Sequence, residues 1–456
     1  MHERGLAEAL RIESQPMTAA AVPLHPRPAV RALAARFFGY LSADGLNYAL
    51  GFLIYGWLVR VLTNQQYGQL SIATSVYQAL MMVAALGLDL TGPKLISDFG
   101  GDPMLFARRA QHLRLAAALL VCGPLQVGGA LYAWHRGQNL LAVVILASFS
   151  MVLARALDLT YLAVALRAPA PLAKTRALGL SVYLVILILC TPLVREHLWL
   201  VPVLNAVGVT IGRLRLGRLL RLHAPTSHAV ARVGSAEIMA QGIKAGGGQL
   251  LLLILQTGDV ILLAKYVSVG AVGQYAMISR LYLLGLAVLG AMFNTFLPEV
   301  IQVTHQADKL RHLFRTCLWA NLGLGLLGAA VFYGMGAPLA ELLAHRPLPA
   351  VRAISPIFAV VFLLMSVANP FLSLLPSLHR GTEYFVGVAS AAALLLALDL
   401  ALMTRYGAVG AAYGQAMATA YLALFSILVY LRHVRALHAK NLEAAARDLI
   451  GSSWQV

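Results

Sequence analysis

Twelve stretches of about twenty mostly apolar residues recur along the chain, each bounded by clusters of charge, proline or glycine, and this pattern narrows the fold more than any other. Inside hydrocarbon every backbone N–H and C=O must be paired within the spanning segment or a closed barrel. Segments of this length satisfy that demand as α-helices. The spans fall near 36–60, 68–90, 114–134, 140–165, 177–194, 198–216, 239–263, 271–297, 314–335, 353–375, 384–403 and 409–431. Between the fifth and sixth, Pro192, Arg195, Glu196 and Pro202 crowd a short gap that a re-entrant pair would also explain. Only 12% of the 456 residues are charged and 60% are hydrophobic; a soluble domain carries roughly 25% charge. The expectation is an all-α polytopic membrane protein with about 12 transmembrane helices.

The two halves of the chain repeat one another. Arg60, Gly68-Gln69, Tyr77, Val83 and Pro93 recur at the same spacings as Lys265, Gly273-Gln274, Tyr282, Val288 and Pro298, a shift of 205 residues from Arg60 to Lys265. Duplicated halves are common in secondary transporters, where parallel repeats are related by an axis along the membrane normal. The expected organisation is therefore a cytoplasmic tail (1–35), a six-helix bundle (36–221), a cytoplasmic linker (222–238), a second six-helix bundle (239–432) and a cytoplasmic tail (433–456), with the bundles related by a pseudo-two-fold axis.

A net charge of +17 would ordinarily suggest nucleic acid, but its location argues against that partner. Counted by alternate loops, 26 of the Lys and Arg side chains lie on the side holding both termini and 7 on the other, with Arg155 and Arg280 inside spans. Such a bias sets both termini in the cytoplasm. The basic runs Arg108-Arg109-Gln111-His112-Arg114 and Arg213 to Arg221 then read as topology determinants and contacts to membrane lipid headgroups. Residues 1–30 carry charges of both signs and no apolar core, so they do not read as a cleaved signal. Near the other terminus, Leu442, Ala445, Ala446 and Leu449 keep helical spacing on a surface helix.

Cys122, Cys190 and Cys317 sit in or beside apolar segments without CxxC or zinc spacing, and no phosphate loop or serine elbow is present. No metal and no cofactor is implied. The longest external loop falls near 336–352. That leaves no room for an extramembrane catalytic domain of the kind glycan polymerases and ligases need, so an enzyme is the weaker class.

Polar groups inside the spans point to transport, because ionisable residues in hydrocarbon normally face a bundle interior or a water-filled pathway. On the first span Asp44, Asn47, Tyr48, Gly51 and Tyr55 form one helical stripe, and Ser71, Thr74, Ser75 and Gln78 repeat the device on the second. The internal shift sets Gln249 and Gln256 against Asp44 and Gly51, and Ser279 and Arg280 against Thr74 and Ser75. A shared central cavity is the simplest target of these matched faces. Arg155 and Asp158, three apart, either pair with one another or serve that cavity. Arg60 and Lys265 stand symmetrically at the outer span ends, as residues of a cavity mouth or as snorkelling groups. Asp259 lies near an outer interface, while Asp89 and Asp399, near span ends, are expected to be solvated.

The stretch Arg60-Val61-Leu62-Thr63-Asn64-Gln65-Gln66-Tyr67-Gly68-Gln69-Leu70 with Leu86-Gly87-Leu88 resembles the signature of bacterial polysaccharide flippases of the multidrug/oligosaccharidyl-lipid/polysaccharide exporter superfamily. Asp259 to Leu263 leading to Val272-Gly273-Gln274-Tyr275 and Pro298, and Val409-Gly410-Ala411-Ala412-Tyr413-Gly414, agree. The resemblance covers most of residues 35–430. Twelve spans fit its O-antigen and exopolysaccharide branch better than the fourteen-helix lipid II flippases. It implies a V-shaped cavity between the bundles and an undecaprenyl-diphosphate-linked oligosaccharide as substrate, flipped to the periplasmic leaflet of the inner membrane by alternating access. Glycosyltransferases and a polymerase of the same pathway would be partners. In that setting Arg280 and Arg155 suit a diphosphate, and Asn47, Tyr48, Gln78, Gln249 and Gln256 suit sugar hydroxyls. Asp44, Asp158 and Asp259 are the candidates for coupling to a proton or sodium gradient. A multidrug antiporter of the same superfamily is the alternative, but its site would favour carboxylates and aromatics over arginine.

Overall fold

The computed structural model describes residues 30–99, 102–166, 168–223, 234–302, 307–378 and 380–453, and among them every regular element is helical. The first half holds α1 (Val30–Val61), α2 (Asn64–Ala85), α3 (Leu88–Phe99), α4 (Pro103–His135), α5 (Asn139–Ala156), α6 (Thr160–Ala165), α7 (Pro169–Leu189), α8 (Thr191–Glu196) and α9 (Leu200–His223). The second holds α10 (Ser235–Tyr266), α11 (Val269–Gln302), α12 (Ala307–Ala344), α13 (Pro349–Ser377) and α14 (Gly381–Ser453). Among the described residues nine helices are long and apolar enough to cross a membrane. One of these, within α14, is broken at Gly407 (φ 56°, ψ −128°). Across that break Gly387 faces Phe425, Tyr421 bonds to Ser390, and Gly410 meets Leu402, so 381–406 and 408–453 run antiparallel. Counting both arms with the 32-residue α1 and 22-residue α2, the arrangement is consistent with twelve passes. α7 and α9 both have spanning length, and the crowded gap between them is the short α8 with Pro192 in its first turn. The expected linker falls largely on 224–233, outside the described residues, as do the N-terminal tail through residue 29 and the side chains of Leu442, Ala445, Ala446 and Leu449.

Local chemistry explains where the helices start and bend. Thr63 caps α2 in a reciprocal box: its Oγ1 accepts from the Gln66 amide at 3.2 Å, while Gln66 Oε1 accepts from the Thr63 amide at 3.0 Å. At the other end Leu86 (φ 51°) and Gly87 (φ 62°) both turn left-handed, which separates α2 from α3. α4 begins on Asp102, whose carboxylate accepts from the Met104 amide, with Pro103 in the first turn. Within α4, Ala118–Cys122 widens into a π turn just before Pro124. Proline has no N–H for the carbonyl four residues back and its ring crowds that oxygen, so the preceding turn opens.

The repeat is visible where the bundles meet. A Cβ on Gly68 would lie 1.9 Å from the Val269 carbonyl and 3.0 Å from the Gly273 nitrogen; a Cβ on Gly273 would lie 2.2 Å from the Asn64 carbonyl and 2.9 Å from the Gly68 nitrogen. Asn64 and Val269 are themselves equivalent under the 205-residue shift, so the pseudo-two-fold axis passes between the two glycines. One continuous buried core joins α1, α2, α11 and α13 here through Tyr55, Leu62, Tyr67, Tyr275, Met277 and Phe358. At the other membrane face the halves touch again, the Gly87 turn packing on Gly242 and Gly246 of α10. This second contact has no repeat, because α11 continues unbroken where α2 ends.

Candidate functional site

The polar residues of the spans sort into three places. The first lies between the bundles. Gly273, Met277 and Arg280 share one face of α11. The Tyr55 hydroxyl of α1 donates to the Met277 carbonyl at 2.9 Å, and the Arg280 guanidinium is near enough to Tyr55, Tyr67 and Tyr77 for its charge to act on all three hydroxyls. Arg280 is half-buried and, among the described residues, has neither a carboxylate nor a hydrogen-bond partner. Gln78, Gln249, Gln256 and Tyr48 are likewise half-buried, and the buried Gln78 Oε1 has no partner among the described residues. Arg60 and Lys265 are exposed at the outer ends of α1 and α10, Lys265 lying over the Tyr266 ring at 5.6 Å. A methyl group on Gly45, Gly51 or Gly290 would meet nothing within 4 Å.

The second place lies inside the N-terminal bundle. Asp89 and Asp158 accept from Arg114, Arg155 and Arg213: Arg114 reaches Asp89 at 3.1 Å, Arg213 reaches Asp158 at 3.3 Å, and Arg155 bridges both carboxylates. Thr160 adds its amide and hydroxyl to Asp158 at 2.9 and 2.7 Å. Arg114 is fully buried; it also donates to the Ala85 carbonyl at 3.1 Å and the Asp158 carbonyl at 2.9 Å, and stacks 4.7 Å over Tyr161. A cavity of about 330 Å³ adjoins this network, bounded by Asn47, Arg155, Asp158, Thr160, Arg176 and Arg213. Arg155 and Asp158 therefore pair with one another, and both also border this cavity. That cavity is lined by residues of one bundle, however, and Arg280 is not among them.

The third place lies in the C-terminal bundle. Asp259 of α10 is 2% exposed, accepts from the Tyr275 hydroxyl, and takes the Val260 amide at 2.8 Å. Asp399 of α14 is fully buried and neither carboxylate oxygen has a partner among the described residues. A Cβ on Gly414 would fall 2.5 Å from Asp399 Oδ1, so only glycine lets the second arm of α14 approach it. The two carboxylates feel one another's charge. Gln415 and Thr419, also buried, follow on the same arm.

Several expectations change here. Asp399 is buried and not solvated, Asp89 is held by two arginines, and Asp259 is an interior group and not an interfacial one. Arg114 and Arg213, read from sequence as headgroup contacts, are structural cations of the network. Their basic runs gave no sign of this; the only available signal was Asp89 and Asp158, which needed cationic partners once placed in spans. The backbone at Asp44 is helical, and its side chain lies outside the described residues.

A family model described as "Polysaccharide biosynthesis protein" matches residues 33–303. No curated protein matches the chain. Among solved structures, the lipid II flippase MurJ in an inward closed conformation superposes with a TM-score of 0.64 at 10% identity, covering 89% of this chain and 91% of that one. An inward-facing multidrug resistance MATE transporter of the MOP superfamily superposes at 0.63 and 12% identity, covering 87% and 96%. A MOP-superfamily transporter from Pyrococcus furiosus, described as having a binding pocket of reversed polarity, gives 0.57 and 11%, covering 89% and 95%. The fold is that of these transporters.

Proposed function

The chain belongs to the polysaccharide biosynthesis protein family, and from that premise we propose that it is a flippase for an undecaprenyl-diphosphate-linked oligosaccharide. It would move this cargo from the cytoplasmic to the periplasmic leaflet of a bacterial inner membrane, serving cell-surface polysaccharide synthesis such as that of lipopolysaccharide. Glycosyltransferases would supply the cargo and a polymerase would consume it. The likeness to MurJ, a flippase of lipid II, supports a lipid-linked cargo.

The observation that carries the proposal is Arg280. A cation with no partner among the described residues, in an apolar span, is costly unless an anion meets it during the working cycle. A diphosphate is such an anion, and the planar guanidinium suits two of its oxygens at once. The polyprenyl tail can stay in lipid while the glycan and diphosphate pass along the face between the bundles. Tyr48, Gln78, Gln249 and Gln256 would hydrogen-bond sugar hydroxyls, and Arg60 and Lys265 would receive the anion at the outer mouth. Alternating access would rock one bundle against the other. Coupling belongs with Asp259 and Asp399, since Asp158 is already held by two arginines and Thr160. Both carboxylates are buried, on α10 and α14, so a proton or a sodium ion bound by either would change how those two helices meet.

An organic-cation antiporter is the second reading, favoured by that same carboxylate pair and by the likeness to multidrug transporters. Surface glycan in a flippase-deficient strain, complemented with variants at matched membrane levels, separates the two. Arg280→Ala should cut export by roughly 10- to 100-fold, the worth of one charge-assisted phosphate contact, and Arg280→Lys should retain part of it. Full complementation by Arg280→Ala would overturn the cationic-site reading.

A further inference from the structure

The cavity inside the N-terminal bundle is lined by residues of that bundle and not by Arg280, and its lining is not self-sufficient. Three guanidiniums (Arg155, Arg176, Arg213) and one carboxylate (Asp158) line a space of about 330 Å³, an excess of two positive charges that the adjoining Arg114–Asp89 pair leaves unchanged. Asp158 is saturated by Arg155, Arg213 and Thr160, so it has little capacity left for a further cation. Donors remain instead. Among the described residues Arg213 Nη1 is buried without a partner, and so are both the nitrogen and the oxygen of the Asn47 amide on the same cavity. Buried polar atoms in a finished protein core are paired far more often than not, and three such atoms around one space point to a ligand.

The walls fit the same conclusion. Gly179, Gly208 and Gly212 let α7 and α9 pack backbone to backbone: a Cβ on Gly212 would lie 2.5 Å from the Thr175 carbonyl, and one on Gly179 would lie 2.8 Å from the Gly208 carbonyl. Gly179 and Gly212 also border the cavity, so this close helix contact forms part of its wall. The neighbouring segment carries Arg215, Arg218 and Arg221, on the side that the charge bias assigns to the cytoplasm. A volume of this size suits a phosphate or diphosphate group with a short organic arm, and not a folded glycan.

We propose that this cavity is a phosphate-oxyanion site within the N-terminal bundle, at the depth of the cytoplasmic headgroups, in which Arg213 Nη1, Arg155 and Arg176 hold the anion and the Asn47 amide donates to it. The chemistry is common to an anionic phospholipid headgroup and to the diphosphate of a polyprenyl-linked molecule. The site rests on the cavity alone and stands whether or not Arg280 carries cargo.

The test uses the full chain in neutral detergent, in native form and with Arg280→Ala so that binding between the bundles does not contribute. Inorganic pyrophosphate is titrated calorimetrically, and native mass spectrometry follows retention of phosphatidylglycerol against phosphatidylcholine. Pyrophosphate binding should persist in Arg280→Ala and weaken about tenfold or more in Arg213→Gln, in Arg176→Gln and in Asn47→Leu. Arg176 is exposed, so Arg176→Gln tests the site even if Arg213→Gln folds poorly. Selective retention of phosphatidylglycerol that pyrophosphate displaces would identify a lipid headgroup as the occupant; pyrophosphate binding without it would identify a diphosphate. Failure of both probes to bind the Arg280→Ala protein, or binding unaffected by Arg213→Gln, Arg176→Gln and Asn47→Leu alike, overturns the proposal.

Discussion

Arg114 shows what a buried charge demands of its surroundings. Its three donors reach the last carbonyl of α2, the corner carbonyl at Asp158 and the carboxylate of Asp89, while its plane lies on Tyr161. Removing it leaves two backbone carbonyls unpaired and Asp89 dependent on Arg155 alone. Loss of one partner from such a buried network costs about 3–5 kcal/mol. Arg114→Met should therefore lower the melting temperature of the detergent-solubilised protein markedly, while Arg108→Met, an exposed change six residues earlier, should leave it nearly unaltered. Equal melting temperatures would show that Arg114 contributes nothing beyond its charge. The sequence could not reveal this difference, since both arginines belong to one basic run and only tertiary placement separates them. Asp399 illustrates the same limit, because its position near a span end gives no hint that the second arm of α14 covers it at Gly414. By contrast, the Arg155–Asp158 pair was legible from its i, i+3 spacing alone.

At the scale of elements, hydropathy located the spans well because the bilayer imposes both a length and complete backbone pairing. The bends were harder to read. The break at Leu86-Gly87, the turn at Gly407 and the π turn before Pro124 depend on a few backbone angles that leave little trace in an apolar run. The repeat, however, marked Gly68 and Gly273 in advance, and those glycines are where α2 and α11 cross. Any side chain at Gly68 collides with the fixed carbonyl of Val269, and helix backbone cannot yield as a flexible side chain can. Gly68→Leu should force the two helices apart and abolish most export at normal membrane levels. Gly128→Leu, on α4 where a Cβ meets nothing within 4 Å, should be tolerated. Comparable export by the two variants would mean that the close crossing is dispensable.

For the whole molecule, the two bundles are fastened at the face poor in Lys and Arg. Tyr55 bonds to Met277, Arg346 of the α12–α13 turn donates to the Asn64 carboxamide at 2.9 Å and the Val59 carbonyl at 3.5 Å, and the Gly68 and Gly273 backbones touch. A flippase that releases cargo outward must undo these contacts, because they close the route between the bundles on the periplasmic side assigned by charge. Geometry offers a direct way to hold them. A Cβ placed on Gly270 would lie 3.8 Å from the Asn64 Cβ, which is close to the mean separation, about 3.8 Å, across a protein disulfide. With Cys122, Cys190 and Cys317 replaced, the pair Asn64→Cys and Gly270→Cys should form a disulfide in the oxidising periplasm and fix the outer ends together. Export should fall to background in the double variant and return on treatment with a reductant. Each single variant should keep most of its export, apart from a modest loss in Asn64→Cys, where Arg346 gives up its side-chain acceptor. Full export from the quantitatively oxidised double variant would mean that the outer ends need not part, and rocking of the bundles would have to be abandoned as the route of transport.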